Sequence, residues 1–373
     1  MTVEAVPPRA NPALVGQDAA ERTLLAAWNS GRLPHAWLLA GPRGVGKATL
    51  AYRFARFVLA QGPEPASGGG GTGLFGAEPA PAKPQGMALG SDHPVFRRVA
   101  AGGHADLMVL EPGMIHPETK KESAEIVVDH VRAAIAFLGM TPAEGGWRVL
   151  VVDQAEEMNT SSENALLKIL EEPHARSLLL LVSHAPGRLL PTIRSRCRRL
   201  DMPALEPGVV ATLLSRSVPG LEAGQGAALS VLAAGSVGRA LDLLEAGAIE
   251  IYEALLEVVA ARDGAGLAMH ALAERVGMFG PEGQASFRAF REVAIHLAGA
   301  CARCAAGAPV VAALPREAQE LPSLAASGTG RWLAAWDEMR RLAAATDGLN
   351  LDRRQAAFAT LATLRAAAGQ GRG

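Results

Sequence analysis

Cysteine is nearly absent from this chain of 373 residues, which carries only Cys197, Cys301 and Cys304. An odd, sparse set excludes a disulfide framework and points to a reducing compartment. Aromatic residues make up 4% of the sequence, so core packing must rest on aliphatic side chains and alanine. Excess charge of either sign is missing too, with 36 Lys and Arg against 37 Asp and Glu. That balance gives no global attraction for a polyanion and confines any nucleic-acid contact to a local patch. No run of about 18 apolar residues occurs, which excludes a simple membrane-spanning helix. The first residues have neither a basic nor an apolar leader signature. The expectation is a soluble cytoplasmic protein with no membrane partner.

What is present is more telling. Nearly half the residues are apolar (49%), and the length predicts two or three domains rather than one core. Gly41-Pro42-Arg43-Gly44-Val45-Gly46-Lys47-Ala48-Thr49 has the glycines and the lysine of a phosphate-binding loop. Backbone N–H groups at a helix N-terminus hold phosphate whatever the side chains, and Lys47 adds a point charge. Ala48, however, stands where a hydroxyl normally ligates Mg²⁺. Thr49 follows one position later and offers a hydroxyl to phosphate, or to the metal through water. Two readings stay open: a weak nucleotide site, or a loop that serves as scaffold alone.

The context fits a phosphate loop. A helix is expected after Val15-Gly16-Gln17-Asp18, with Asp18 as its cap, running through Trp28. Trp37 to Ala40 reads as a strand entering the loop, and Lys47 to Leu59 as the helix that follows. Further buried strands are expected at Leu107–Leu110, Arg148–Val152 and Leu178–Ser183. Helical patterns at Glu125–Leu138 and Thr160–Glu172 separate them, which together predict a parallel sheet covered by helices on both faces. Thr160-x-x-Glu163 reads as a capping box for the second of these helices. Residues 61–90, crowded with Gly, Pro, Ala and Ser, read as a loosely held insertion. After about residue 203 strand signals vanish. Breaks at Pro219-Gly220, Gly235, Gly277 to Gly283 and 306–322 divide an alanine- and leucine-rich helical remainder.

Two further elements bear on chemistry. Val149 to Asp153 is an aliphatic strand ending in the carboxylate, Asp153, that orients metal in such sites. The next residue is Gln154, where a glutamate would polarise the attacking water; an amide cannot accept that proton. Ser195-Arg196-Cys197 closes an arginine-rich segment. Read on its own, it is a solvated basic turn or an arginine offered to a neighbour's phosphate.

Asn164 to Pro173, the strand at 178–183, and Ser195-Arg196-Cys197, together with the loop at 41–49 and the strand at 148–153, resemble the clamp-loader subunits of bacterial DNA polymerase III. These are AAA+ proteins, and the resemblance covers roughly residues 10–245. It implies an α/β AAA+ module over 1–202, a small helical lid over 203–247, and an all-helical C-terminal collar domain over 248–373. Within the family, Lys47-Ala48, Asp153-Gln154 and Gly235-Ser236-Val237-Gly238 depart from the hydrolysing gamma/tau type at three points of its reaction centre. In the last of these, glycine holds the arginine position. The departures fit the non-hydrolysing delta-prime type. The alternative is an active gamma/tau-like ATPase in which Thr49 and Asp153 manage the metal.

The resemblance further implies Arg196 acting in trans on a neighbouring gamma/tau ATP site. Its loop, with Gly41, Gly44, Gly46, Lys47, Thr49 and Asp153, would hold ATP or ADP weakly, without hydrolysis. The implied partners are gamma/tau and delta subunits and, through the complex, the sliding clamp and primed DNA. Such subunits often carry a four-cysteine zinc module after the loop helix, but residues 61–104 contain no cysteine. His93 and His104 in that interval read as surface residues, and no zinc is expected. Cys301 and Cys304 read as helix-packed thiols.

Overall fold

The computed structural model describes residues 6–62, 83–349 and 351–369. The chain divides into two compact units, one up to residue 204 and one from residue 205 onward.

The first unit alternates helices and strands. Its helices are α1 (Asp18–Asn29), α2 (Lys47–Ala60), α3 (Pro94–Ala100), α4 (Val128–Gly139), α5 (Thr160–Glu171) and α6 (Pro191–Arg196). Its strands are β1 (Ala36–Ala40), β2 (Leu107–Leu110), β3 (Arg148–Val152), β4 (Ser177–Ser183) and β5 (Arg198–Asp201). All strand pairs are parallel, in the order β2-β3-β4-β1-β5. Strand alternation deals the apolar side chains to the two faces in turn. Trp37, Leu39, Val149, Val151, Leu178 and Leu180 pack with Leu24 of α1 and with Leu50, Phe54 and Phe57 of α2. Leu38, Leu150, Val152, Leu179 and Leu181 pack on the other face with Val131 of α4 and Leu166 and Ile169 of α5. Burial on both faces explains why these strands read as unbroken aliphatic runs.

The local reading needs several corrections. Asp18 is the first residue of α1 rather than its cap, and Gln17 takes the cap position without a side-chain cap bond. Helix α4 begins at Val128, later than the pattern implied. Helix α5 is capped by Asn159, whose Oδ1 accepts the Ser162 N–H at 3.0 Å. Glu163 instead accepts the Leu190 N–H at 3.0 Å, so the capping box does not form. Strand β5 and helices α3 and α6 were not anticipated, and a helix at Pro315–Ala325 begins inside the expected break at 306–322 and runs past its end. Of the proposed insertion, residues 63–82 lie outside the described residues. Its C-terminal part is held, since Met87 is fully buried and the Asn29 Nδ2 donates to the Pro84 carbonyl at 3.0 Å.

The second unit contains α7 (Pro207–Ser217), α8 (Ala223–Leu232), α9 (Val237–Glu245), α10 (Ala248–Ala260), α11 (Gly266–Val276), α12 (Gly280–Ala305), α13 (Pro315–Ala325), α14 (Thr329–Leu349) and α15 (Arg353–Ala367). One apolar core runs through it, from Val210 and Leu229 through Leu255 and Phe290 to Trp332 and Leu361. The buried Glu317 carboxylate accepts the Ala313 N–H at 2.6 Å and lies 3.1 Å from His296 Nε2, which ties α13 to α12. Cys301 is buried in this core and Cys304 is packed against it. Among the described residues no single helix is long and apolar enough to cross a membrane.

Candidate functional site

Sheet order brings the chemistry to one edge. Strands β3, β4 and β1 are neighbours, with Ala40 opposite Ser183 and Val152 opposite Leu181. The loop after β1, Asp153 after β3 and His184 after β4 therefore leave the sheet side by side, at the carboxyl ends where open parallel sheets bind ligands.

Gly41 shows why the loop starts with glycine. Its φ is +154°, and a Cβ there would lie 2.1 Å from the Met202 carbonyl oxygen. Gly44 and Gly46 also have positive φ, at 73° and 97°. Gly46 stands at the N-cap of α2 and provides no side-chain cap. The first-turn N–H groups of a helix left in this way, with the positive end of its dipole, form an anion site.

Lys47 is buried, and its Nζ donates to the carbonyls of Gly41, at 2.8 Å, and Pro42. Burial lowers its pKa to about 8, against the opposing pull of Glu156 and Asp153. Thr49 lies half-buried in the first turn of α2. Asp153 accepts the Gln154 N–H at 2.9 Å, and burial pushes its carboxyl up from the ordinary value.

These residues fit a polyphosphate but not a hydrolytic metal. The loop backbone and Lys47 supply donors and positive charge. A magnesium ion would find the carboxylate of Asp153 and, at position 48, a methyl group instead of a hydroxyl.

Reading the sequence missed two neighbours of this centre. Glu156 sits in a 3₁₀ turn, Ala155–Glu157, with its side chain fully buried. Its Oε1 accepts the His184 N–H at 3.1 Å and lies 2.7 Å from His184 Nδ1, while its Oε2 has no hydrogen-bond partner. The second neighbour is Gln17, buried beside the loop. The signals were faint: a carboxylate two residues after Gln154, and an amide in a quartet read only as a helix start.

Arg196 lies apart from these groups, at the last turn of α6. Its Nη2 is 2.7 Å from Glu171 Oε1, and its Nη1 donates to the Thr192 carbonyl at 3.1 Å. The guanidinium is half-exposed while Cys197 beside it is buried. Burial pushes the Cys197 thiol up to about 12, so it is a packing group rather than a nucleophile. In the second unit, Ser236 caps α9 by accepting the Arg239 N–H at 3.0 Å. Arg239 itself is committed to Glu292 at 2.7 Å.

His104 is buried, not a surface residue, and its Nδ1 accepts the Asp106 N–H at 3.2 Å. His93 caps α3 by accepting the Val95 N–H at 3.2 Å. Among the described residues, no three of His, Cys, Asp and Glu are grouped so as to hold a metal.

A five-stranded parallel sheet in this order, a glycine loop entering α2 and a carboxylate at the end of β3 define an α/β module built around a phosphate-binding loop. Residues 86–206 match the family model described as "DNA polymerase III, delta subunit". The chain is 40% identical over 189 residues to DNA polymerase III subunit delta' of Pseudomonas aeruginosa, covering 50% of this chain and 48% of that protein. Against the delta' subunit of Escherichia coli (strain K12) it is 32% identical over 237 residues, covering 64% and 62%. Against the gamma/tau subunit of Mycobacterium tuberculosis (strain ATCC 25618 / H37Rv) it is 31% identical over 204 residues, covering 54% and 30%. Over these spans the chain is similar to DNA polymerase III delta' subunits. Its matches span about half the length of the Pseudomonas relative and somewhat more of the Escherichia one.

Proposed function

We propose that this chain is a delta-prime-type clamp-loader subunit that does not hydrolyse ATP and lends Arg196 to the ATP site of a neighbouring gamma/tau-type subunit. The observation that carries this reading is the contrast between a disabled centre and a presented arginine. Ala48 and Gln154 remove the metal-binding hydroxyl and the water-polarising carboxylate from the chain's own centre. Arg196 is half-exposed at the end of α6, held among the described residues by Glu171 and a carbonyl. An exposed ion pair of this kind contributes about 1 kcal/mol or less, so a neighbour's phosphate can displace Glu171 at little cost. A guanidinium then spreads the charge that develops on the transferring phosphoryl group.

On this reading the chain's own loop takes ATP or ADP weakly and keeps its backbone form for structural reasons. The assembly would include gamma/tau and delta subunits and act in the cytoplasm on the sliding clamp and primed DNA. The test is co-purification with a gamma/tau-type subunit, together with an ATP turnover assay on the chain alone. Stable co-assembly and turnover no greater than the buffer background are expected. Failure to co-assemble, or robust turnover by the single chain, would instead mark a self-sufficient ATPase.

A further inference from the structure

Gln17 joins two parts of the chain that no local pattern connects. It is 2% exposed. Its Nε2 donates both to the Val45 carbonyl, at 3.2 Å, and to the Pro203 carbonyl, at 3.0 Å. An amide nitrogen has two protons, so both are used. No water competes at a buried position, and losing the donor leaves two carbonyls unsatisfied.

The Val45 bond has a direct consequence for the loop. Val45 lies between Gly44 and Gly46, two residues with positive φ and no side chain to restrain the backbone. In a trans peptide the C=O and the following N–H point in opposite directions. Holding the Val45 carbonyl toward buried Gln17 therefore turns the Gly46 N–H the other way, toward where an anion would enter.

The same short segment holds the start of the loop. The Met202 N–H donates to the Ala40 carbonyl at 2.7 Å. The Met202 carbonyl packs where a Gly41 side chain would be, 2.1 Å from a Cβ position. Residues 202–203 thus touch the loop at its first glycine and, through Gln17, at its middle. They are also the last residues but one of the α/β unit.

We infer that Gln17 is a positioning residue that ties the phosphate loop to residues 202–203. Binding of a nucleoside di- or triphosphate in the loop would thereby fix the point where the chain leaves the α/β unit. The relay rests on the reading of the loop as a polyphosphate site, whereas the tie itself does not.

Peptide-resolved hydrogen exchange on the full chain separates the two. Gln17→Met keeps the volume and removes the donors. Without nucleotide, this variant should exchange about tenfold faster over both 40–50 and 199–206, roughly what one net hydrogen bond protects. Peptides from α4 and α5 should not change. A rise in only one segment, no rise, or a general rise across the sheet would overturn the tie. In the wild type, saturating ADP should slow exchange over 199–206, and Gln17→Met should lose that response. Should calorimetry show that the wild type takes no ADP, the nucleotide reading and the relay both fall, and exchange without nucleotide still decides the tie. Should ADP bind without slowing 199–206, the relay alone is overturned.

Discussion

The phosphate loop and the Arg196 corner are built in opposite ways within one unit. Around the loop, costly backbone detail is kept: Gly41 against a carbonyl, a buried lysine, a buried Gln17. Ala48 and Gln154 stand where a hydrolytic centre has a hydroxyl and a carboxylate. At the corner the backbone is an ordinary short helix, and one half-exposed guanidinium is paired with the exposed Glu171. On the proposed reading, the loop serves the fold without turning over substrate. Conversely, that reading makes Arg196 dispensable to the fold and gives it chemistry for another subunit.

Substitutions can break that contrast. The largest effect on the fold is expected at Gly41. Gly41→Ala combines a backbone angle that disfavours a side chain with a clash against the backbone oxygen of Met202, which cannot swing aside. A loss of about 3 kcal/mol or more should appear in denaturant unfolding. A loss below about 1 kcal/mol would mean that the loop is not the structural element described.

A smaller effect follows from Lys47, whose pKa is lowered to about 8 by burial. The ammonium is the form that holds phosphate, so ADP affinity should be flat below that value. Above it, affinity should fall by about tenfold per pH unit, with proton uptake on binding. Calorimetry in buffers of different ionisation enthalpy measures this, and a flat profile from 7 to 10 would rule it out. Stability moves the other way. Between about 8 and the ordinary value of 10.5, the unfolded chain binds a proton that the folded chain has released, so folding is favoured as pH rises through that window.

The sequence made some of this legible and hid the rest for physical reasons. The three central strands and the loop were readable because a sheet buried on both faces demands continuous aliphatic runs, and the edge strand β2 keeps such a run too. Strand β5 was not, because Arg198-Arg199-Leu200-Asp201 lies at the sheet edge and buries only Leu200. The cap of α5 was misassigned since Asn159 and Thr160 are both good cappers, and Glu163 is drawn away by the Leu190 N–H. His104 looked like a surface residue because nothing local to it signals burial. In the site, Lys47, Asp153 and Arg196 belong to contiguous motifs. Glu156 and Gln17 do not: their partners lie 28 residues away at His184 and 186 away at Pro203. Such pairings exist only once the sheet has formed.

The central claim is that Arg196 serves a neighbour's reaction and not the stability of its own chain. Its most direct test is ATP turnover by the reconstituted assembly with Arg196→Ala, alongside denaturant unfolding of the variant chain. The account predicts unfolding within about 1 kcal/mol of the wild type, as for an exposed ion pair. It also predicts intact assembly and a rate at the adjoining gamma/tau site lowered on the order of 10³-fold. Unchanged turnover from a fully assembled Arg196→Ala complex would contradict it.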